Sequence, residues 1–107
     1  MERILYFDLE TKYSADEVGG WGNIEDMGMS IGVIWDTSDA KFHVYIEHQI
    51  QEMVDHFYRA DQIVGFNHVG FDYRVVSGVR HADSHERSQL HTELAGLKNF
   101  DMLLDLK

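Results

Sequence analysis

The chain contains no cysteine, which excludes a disulfide framework and any thiolate metal site. Proline is absent too, and no linker, repeat or low-complexity segment interrupts the 107 residues. Basic residues are scarce: 9 Lys and Arg stand against 19 Asp and Glu, giving a formal charge of -10. That balance counts against gripping nucleic acid through a broad basic surface, because such binding rests on neutralising phosphates. It still allows an enzyme that holds nucleic acid at one end through bound cations. Long apolar runs are missing as well, and none approaches the roughly 20 residues a membrane span requires. Glu2, Arg3 and Asp8 interrupt the only apolar start, so no signal peptide is expected. These absences lead us to expect a soluble, cytoplasmic protein with no membrane partner.

What remains is an ordinary globular mixture, 44% apolar and 26% charged, in a length suited to one small domain over residues 1–107. Arg3 to Leu9 is apolar on both faces and reads as a central strand covered on both sides. Lys12 to Gly28 is rich in Gly, Ser, Asp and Asn and reads as a loop, with Trp21 packing to anchor it. Met29 to Trp35 and Lys41 to Ile46 read as strands joined through Asp36-Thr37-Ser38-Asp39, an antiparallel hairpin. Along the second of these, Phe42, Val44 and Ile46 alternate with Lys41, His43 and Tyr45. Ile50, Met53, Val54, Phe57 and Tyr58 then form one apolar stripe of a helix over Glu47 to Arg59. Gln62 to Phe66 is a short strand ending at Asn67, and Gly70 to Val79 a second helix. His81 to Thr92 is polar and reads as a loop or short surface helix, followed by a strand at Leu97 to Phe100 and a last helical turn at Met102 to Leu106. The order β-β-β-α-β-α-β-α predicts an α/β fold with a mixed sheet.

Asp8 and Glu10 sit two residues apart at the end of the first strand, so the two-residue period sends both side chains to one face. Converging carboxylates there cost free energy unless a cation or hydrogen-bond donors compensate them. Hard cations such as Mg²⁺ and Mn²⁺ take oxygen ligands and usually one or two protein carboxylates each. A solvated strand end is the bland alternative. Asp72 falls in the first turn of the second helix, just beyond the strand that ends at Asn67. In an open α/β sheet the crevice outside the strand ends is where ligands bind. Helix capping would equally explain Asp72, and a turn would explain Asn67.

Taken together, Phe7-Asp8-Leu9-Glu10-Thr11 and the later Asn67-x-x-x-Phe71-Asp72 resemble the first two motifs of the DEDD superfamily of 3′→5′ exonucleases. Asn99-Phe100-Asp101-Met102-Leu103 is similar to the apolar-Asp-x-Leu strand end that follows in proofreading domains, where the Asp is usually not a metal ligand. The resemblance covers essentially the whole chain. It implies an RNase H-like three-layer fold with a mixed five-stranded sheet, its C-terminal helices truncated, and a metal-dependent 3′→5′ exonuclease acting on single-stranded DNA or RNA. It implies two divalent cations, Mg²⁺ or Mn²⁺, held by Asp8, Glu10 and Asp72 as metal-binding and catalytic residues. Asn67 and the backbone from Leu9 to Thr11 would hold the terminal nucleotide; His68, inside the second motif, would touch its phosphate, although a turn position explains His68 equally well. Tyr6, Phe7 and Phe71 read as core. The implied partners are a nucleic-acid 3′ end, together with an attached helicase or polymerase, or a C-terminal segment carrying the third motif.

That third motif, His-x4-Asp or Tyr-x3-Asp, does not occur after Asp72. His56 to Asp61 has the spacing but precedes the second motif, and reads as a pair of surface residues. Without the fourth carboxylate and the group that orients water, this chain alone is expected to be weakly active or inactive. A nuclease-like binding or interaction module without turnover is the rival reading. His81 and His85, with His91 beyond, could offer Zn²⁺ ligands on one helix face, but a solvated acidic segment is the simpler reading.

Overall fold

The computed structural model describes residues 2–106. Five strands form one mixed sheet in the order β3-β2-β1-β4-β5: β1 is Ile4–Thr11, β2 Met29–Asp36, β3 Lys41–Tyr45, β4 Gln62–Gly65 and β5 Asn99–Asp101. β2 runs antiparallel to both β1 and β3, whereas β1–β4 and β4–β5 are parallel. α1 (Ile50–Tyr58) connects β3 to β4, and α2 (Tyr73–Arg80) and α3 (Ser84–Ala95) connect β4 to β5. A last turn, α4 (Met102–Asp105), follows β5 directly. Among the described residues, no helix is long and apolar enough to cross a membrane.

The apolar stripe expected on the first helix forms. Met53 and Phe57 on α1, with Tyr73 on α2, are buried against Leu5, Phe7 and Leu9 of β1. Phe57 meets the edge of Phe7 with ring centroids 4.7 Å apart, and Tyr73 meets Phe57 at 5.6 Å. Burying each such ring is worth about 1.5–3 kcal/mol. The Tyr73 hydroxyl donates to Asn99 Oδ1 at 2.6 Å, and the Asn99 amide donates to the Leu94 and Leu97 carbonyls. One side chain therefore fastens β5 to α2 and to the end of α3.

β1 is central, but its second face is uncovered: Tyr6, expected in the core, is 48% exposed. Of the three layers, the described residues show the sheet and the helices on one face of it. In β3 the apolar residues Phe42 and Val44 point to that open face, while His43 and Tyr45 turn toward α1. Of the two readings of the polar segment after His81, the surface helix holds: it is twelve residues long and capped by Asp83, whose side chain accepts from the Glu86 N–H.

Candidate active site

β1 and β4 are parallel neighbours, with Tyr6 paired to Val64, so both chains leave the sheet at the same end. The β1–β2 register slips between Glu10 and Thr11, a bulge of the kind that re-aims side chains at a strand end. Asp8 and Glu10 lie on the open face beyond the last paired residue of β4. On the other strand Asn67 adopts a left-handed conformation, φ 53°, ψ 26°. The chain then makes a wide π-type turn over His68–Asp72 before α2 begins. Such turns are rare and often mark functional sites.

Asp101, at the end of β5, fixes this turn. Its carboxylate accepts from the backbone N–H groups of Asn67 (2.8 Å), Val69 (3.3 Å) and Leu103 (3.0 Å). Burial pushes the Asp101 carboxyl up, but those three donors and nearby His68 outweigh it and hold its pKa below the ordinary value. Asp101 is thus a clamp for the turn that presents Asp72. The similarity of its strand end to a family pattern flagged the position, but no local signal in the sequence reveals the clamp.

Asp72 is the unusual group. It is only 6% exposed, and its pKa is pushed up to about 7. Burial is the main cause, followed by repulsion from Asp8, with Asp101 and Glu10 adding to it. The structure therefore brings Asp72 within electrostatic reach of both strand-one carboxylates. Among the described residues, none of the three has a Lys, Arg or His partner at ion-pair distance. The three do not all bring an oxygen within 4.8 Å of the other two, a mutual separation met among the described residues only by Asp36, His43 and His56. Uncompensated like charges repel, and a carboxylate cluster without basic partners is the donor set that hard divalent cations take.

The other expected contacts divide. Thr11 is half-buried, its hydroxyl donating to the Tyr13 carbonyl at 3.0 Å, and Asn67 lies half-buried at the turn. Leu9 is buried, with its backbone in register with Gly32 of β2. His68 is 0% exposed, its Nε2 lying 3.1 Å from Asn99 Oδ1; it lies beneath the site and cannot touch a phosphate there. Packed this tightly, it leaves no room for a side chain at Gly65, where a Cβ would come within 2.7 Å of the imidazole. Trp21 is 68% exposed and meets Phe71 edge-on at 6.3 Å. With Thr11 and Phe71 it lines a cleft of about 400 Å³, which none of the three carboxylates enters. Anchoring of that loop falls instead to buried Ile24 and Met27.

Two histidine expectations are corrected as well. His56 is not a surface residue but fully buried against Asp36. His81 and His91 are spent on other partners, Glu86 at 2.8 Å and the Val69 carbonyl at 2.7 Å, which leaves no shared ligand face with His85.

No protein-family model and no curated protein matches the chain. Among solved structures, it is similar to the family B DNA polymerase from the hyperthermophilic archaeon Pyrobaculum calidifontis, with a TM-score of 0.60 and 21% identity. The match covers 96% of this chain and 16% of the polymerase. At that identity the likeness shows a shared fold: a mixed five-stranded α/β sheet of RNase H-like kind.

Proposed function

We propose that this chain is the carboxylate-bearing core of a metal-dependent nuclease, hydrolysing phosphodiester bonds at the 3′ end of single-stranded DNA or RNA. The observation that carries the reading is Asp72: nearly buried, raised to about 7 by burial and by Asp8, and without a cationic partner. Likeness to a DNA polymerase supports a nucleic-acid substrate. Mg²⁺ or Mn²⁺ would be held by Asp8, Glu10 and Asp72. When bound, a pair of such ions supplies an activated water and stabilises the leaving oxygen. The chain itself contributes a rigid mount: β1 presents two carboxylates, and the clamp of Asp101 on the Asn67 turn fixes the third. Asn67 and Thr11 flank the site and would hold the terminal nucleotide. A group that orients water, typically worth about 10²–10⁴-fold, is not supplied by any His-x4-Asp or Tyr-x3-Asp after Asp72. A further segment would have to supply it.

The test is trimming of a 5′-labelled single-stranded oligonucleotide in Mn²⁺. The proposal expects slow shortening from the 3′ end that stops in Asp8→Ala and Asp72→Ala. Trimming that persists in Asp8→Ala contradicts the site. Cation-independent binding with no trimming favours the rival reading, a nuclease-like module without turnover.

A further inference from the structure

A second cluster lies at the opposite end of β1, between the β2–β3 hairpin and α1. Asp36 ends β2, His43 is on β3 and His56 is on α1. One potential ligand atom from each lies within 4.8 Å of the other two. Asp36 Oδ2 and His56 Nε2 are 2.8 Å apart in a hydrogen bond; an ion replacing its proton would spread them by about half an ångström, to the roughly 3.3–3.6 Å between ligands on four-coordinate bonds of about 2.0–2.2 Å. The two imidazole rings meet at 4.7 Å. No side chain of this cluster takes part in the carboxylate site at the far end of the strand.

We propose that Asp36, His43 and His56 form a separate site for a borderline divalent cation, best suited to Zn²⁺. Two imidazoles and one carboxylate are a characteristic ligand set for such ions, whereas Mg²⁺ favours oxygen alone. Each ligand is also held by a supporting partner, as metal-binding side chains usually are. Asp36 Oδ1 accepts from the Ser38 backbone N–H and hydroxyl at 2.8 and 2.7 Å. His56 Nδ1 lies 2.8 Å from the Tyr45 hydroxyl, and His43 Nε2 lies 2.7 Å from Asp39 Oδ2.

The protonation states suit ligation. Burial holds His56 toward its neutral form, opposed by its contact with Asp36. Burial raises Asp36, but contacts with His56 and Ser38 more than offset it and bring its pKa to about 2. When an ion takes His56 Nε2, the ring proton moves to Nδ1 and donates to the Tyr45 oxygen, so this ring releases no net proton. His43 and Asp39 are about one-third exposed and form the rim through which an ion would enter, with water completing the shell. The competing charge is Arg3, whose Nε is 3.6 Å from Asp36 Oδ2. It also donates to Ser38 Oγ at 3.0 Å, so it has an alternative partner when an ion binds.

The test is a Co²⁺ titration of the purified chain followed by visible absorption, repeated with Zn²⁺ by calorimetry. The proposal expects one site giving the intense bands of low-coordinate, nitrogen-bound Co²⁺, displaced by Zn²⁺ but not by excess Mg²⁺. His43→Ala, at a half-exposed position with little risk to folding, should weaken binding by more than the about 10–100-fold that losing a supporting partner typically costs. Asp8→Ala and Asp72→Ala should leave it unchanged, which separates this site from the nuclease reading. Absence of the bands, or unaltered binding in His43→Ala, would overturn the proposal and leave a buried hydrogen-bond network. Loss of the bands in Asp72→Ala would overturn it equally, by assigning the ion to the other site.

Discussion

Asp72 has an ordinary carboxyl value of 3.8 when unfolded and about 7 when folded. Burial and the Asp8 carboxylate disfavour its charged form. The folded state therefore binds more protons than the unfolded state between those two values, and metal-free stability falls as pH rises from about 4 to 7. Asp72→Asn removes that penalty. In metal-free protein at pH 8 it should stabilise the fold by roughly 1–3 kcal/mol, with the gain vanishing below about pH 4. Chemical denaturation of both proteins across this range checks it, and a pH-independent difference would contradict the assigned origin. Motif and spacing single out Asp8, Glu10 and Asp72 as candidates. The burial of His68 was not, because a histidine between a strand and a helix fits a turn as well as a core. Its packing against Gly65 and bond to Asn99 depend on a residue 31 positions away.

At the scale of elements, the strands and first helix follow from periodicity, since alternation and the 3.6-residue stripe are local properties. The orientation of β3 does not. Its apolar set faces outward because Asp36, His56 and Tyr45 build a polar cluster on the inner side. The polar composition of α3 leaves loop and surface helix equally open, although Asp83 three residues before Glu86 is a helix-start signal. α2 shows a constraint that periodicity could not carry: at Gly78 the turn over Trp21–Asp26 passes so close that a Cβ would stand 1.7 Å from the Glu25 carbonyl oxygen. The Arg74 guanidinium grips the Glu25 carboxylate with two bonds, at 2.7 and 3.0 Å, and holds that approach. Gly78→Ala would ordinarily favour a helix. Here it should destabilise by about 1–3 kcal/mol or more, since the obstruction is backbone. Thermal unfolding measures it, and an unchanged or raised Tm would refute the contact.

Across the whole molecule, two features set behaviour. One is the open sheet face, where Tyr6, Phe42, Val44 and Phe66 are all substantially exposed, with β3 an edge strand. Exposed apolar faces and unpaired edges promote association. Phe42→Lys should therefore reduce concentration-dependent light scattering without lowering Tm, and an unchanged association would show that this face is not the contact. The other feature is the charge of -10, which opposes approach to phosphate unless cations intervene. The proposed nuclease function requires one pocket at the strand ends able to gather divalent ions. A Mn²⁺ calorimetric titration of the His43→Ala chain, in which the histidine cluster is disabled, examines that pocket alone. The account predicts two binding events, strengthening as pH rises through about 7, with both lost or severely weakened in Asp8→Ala and Asp72→Ala. Mn²⁺ binding that is absent, or indifferent to both substitutions, would contradict it.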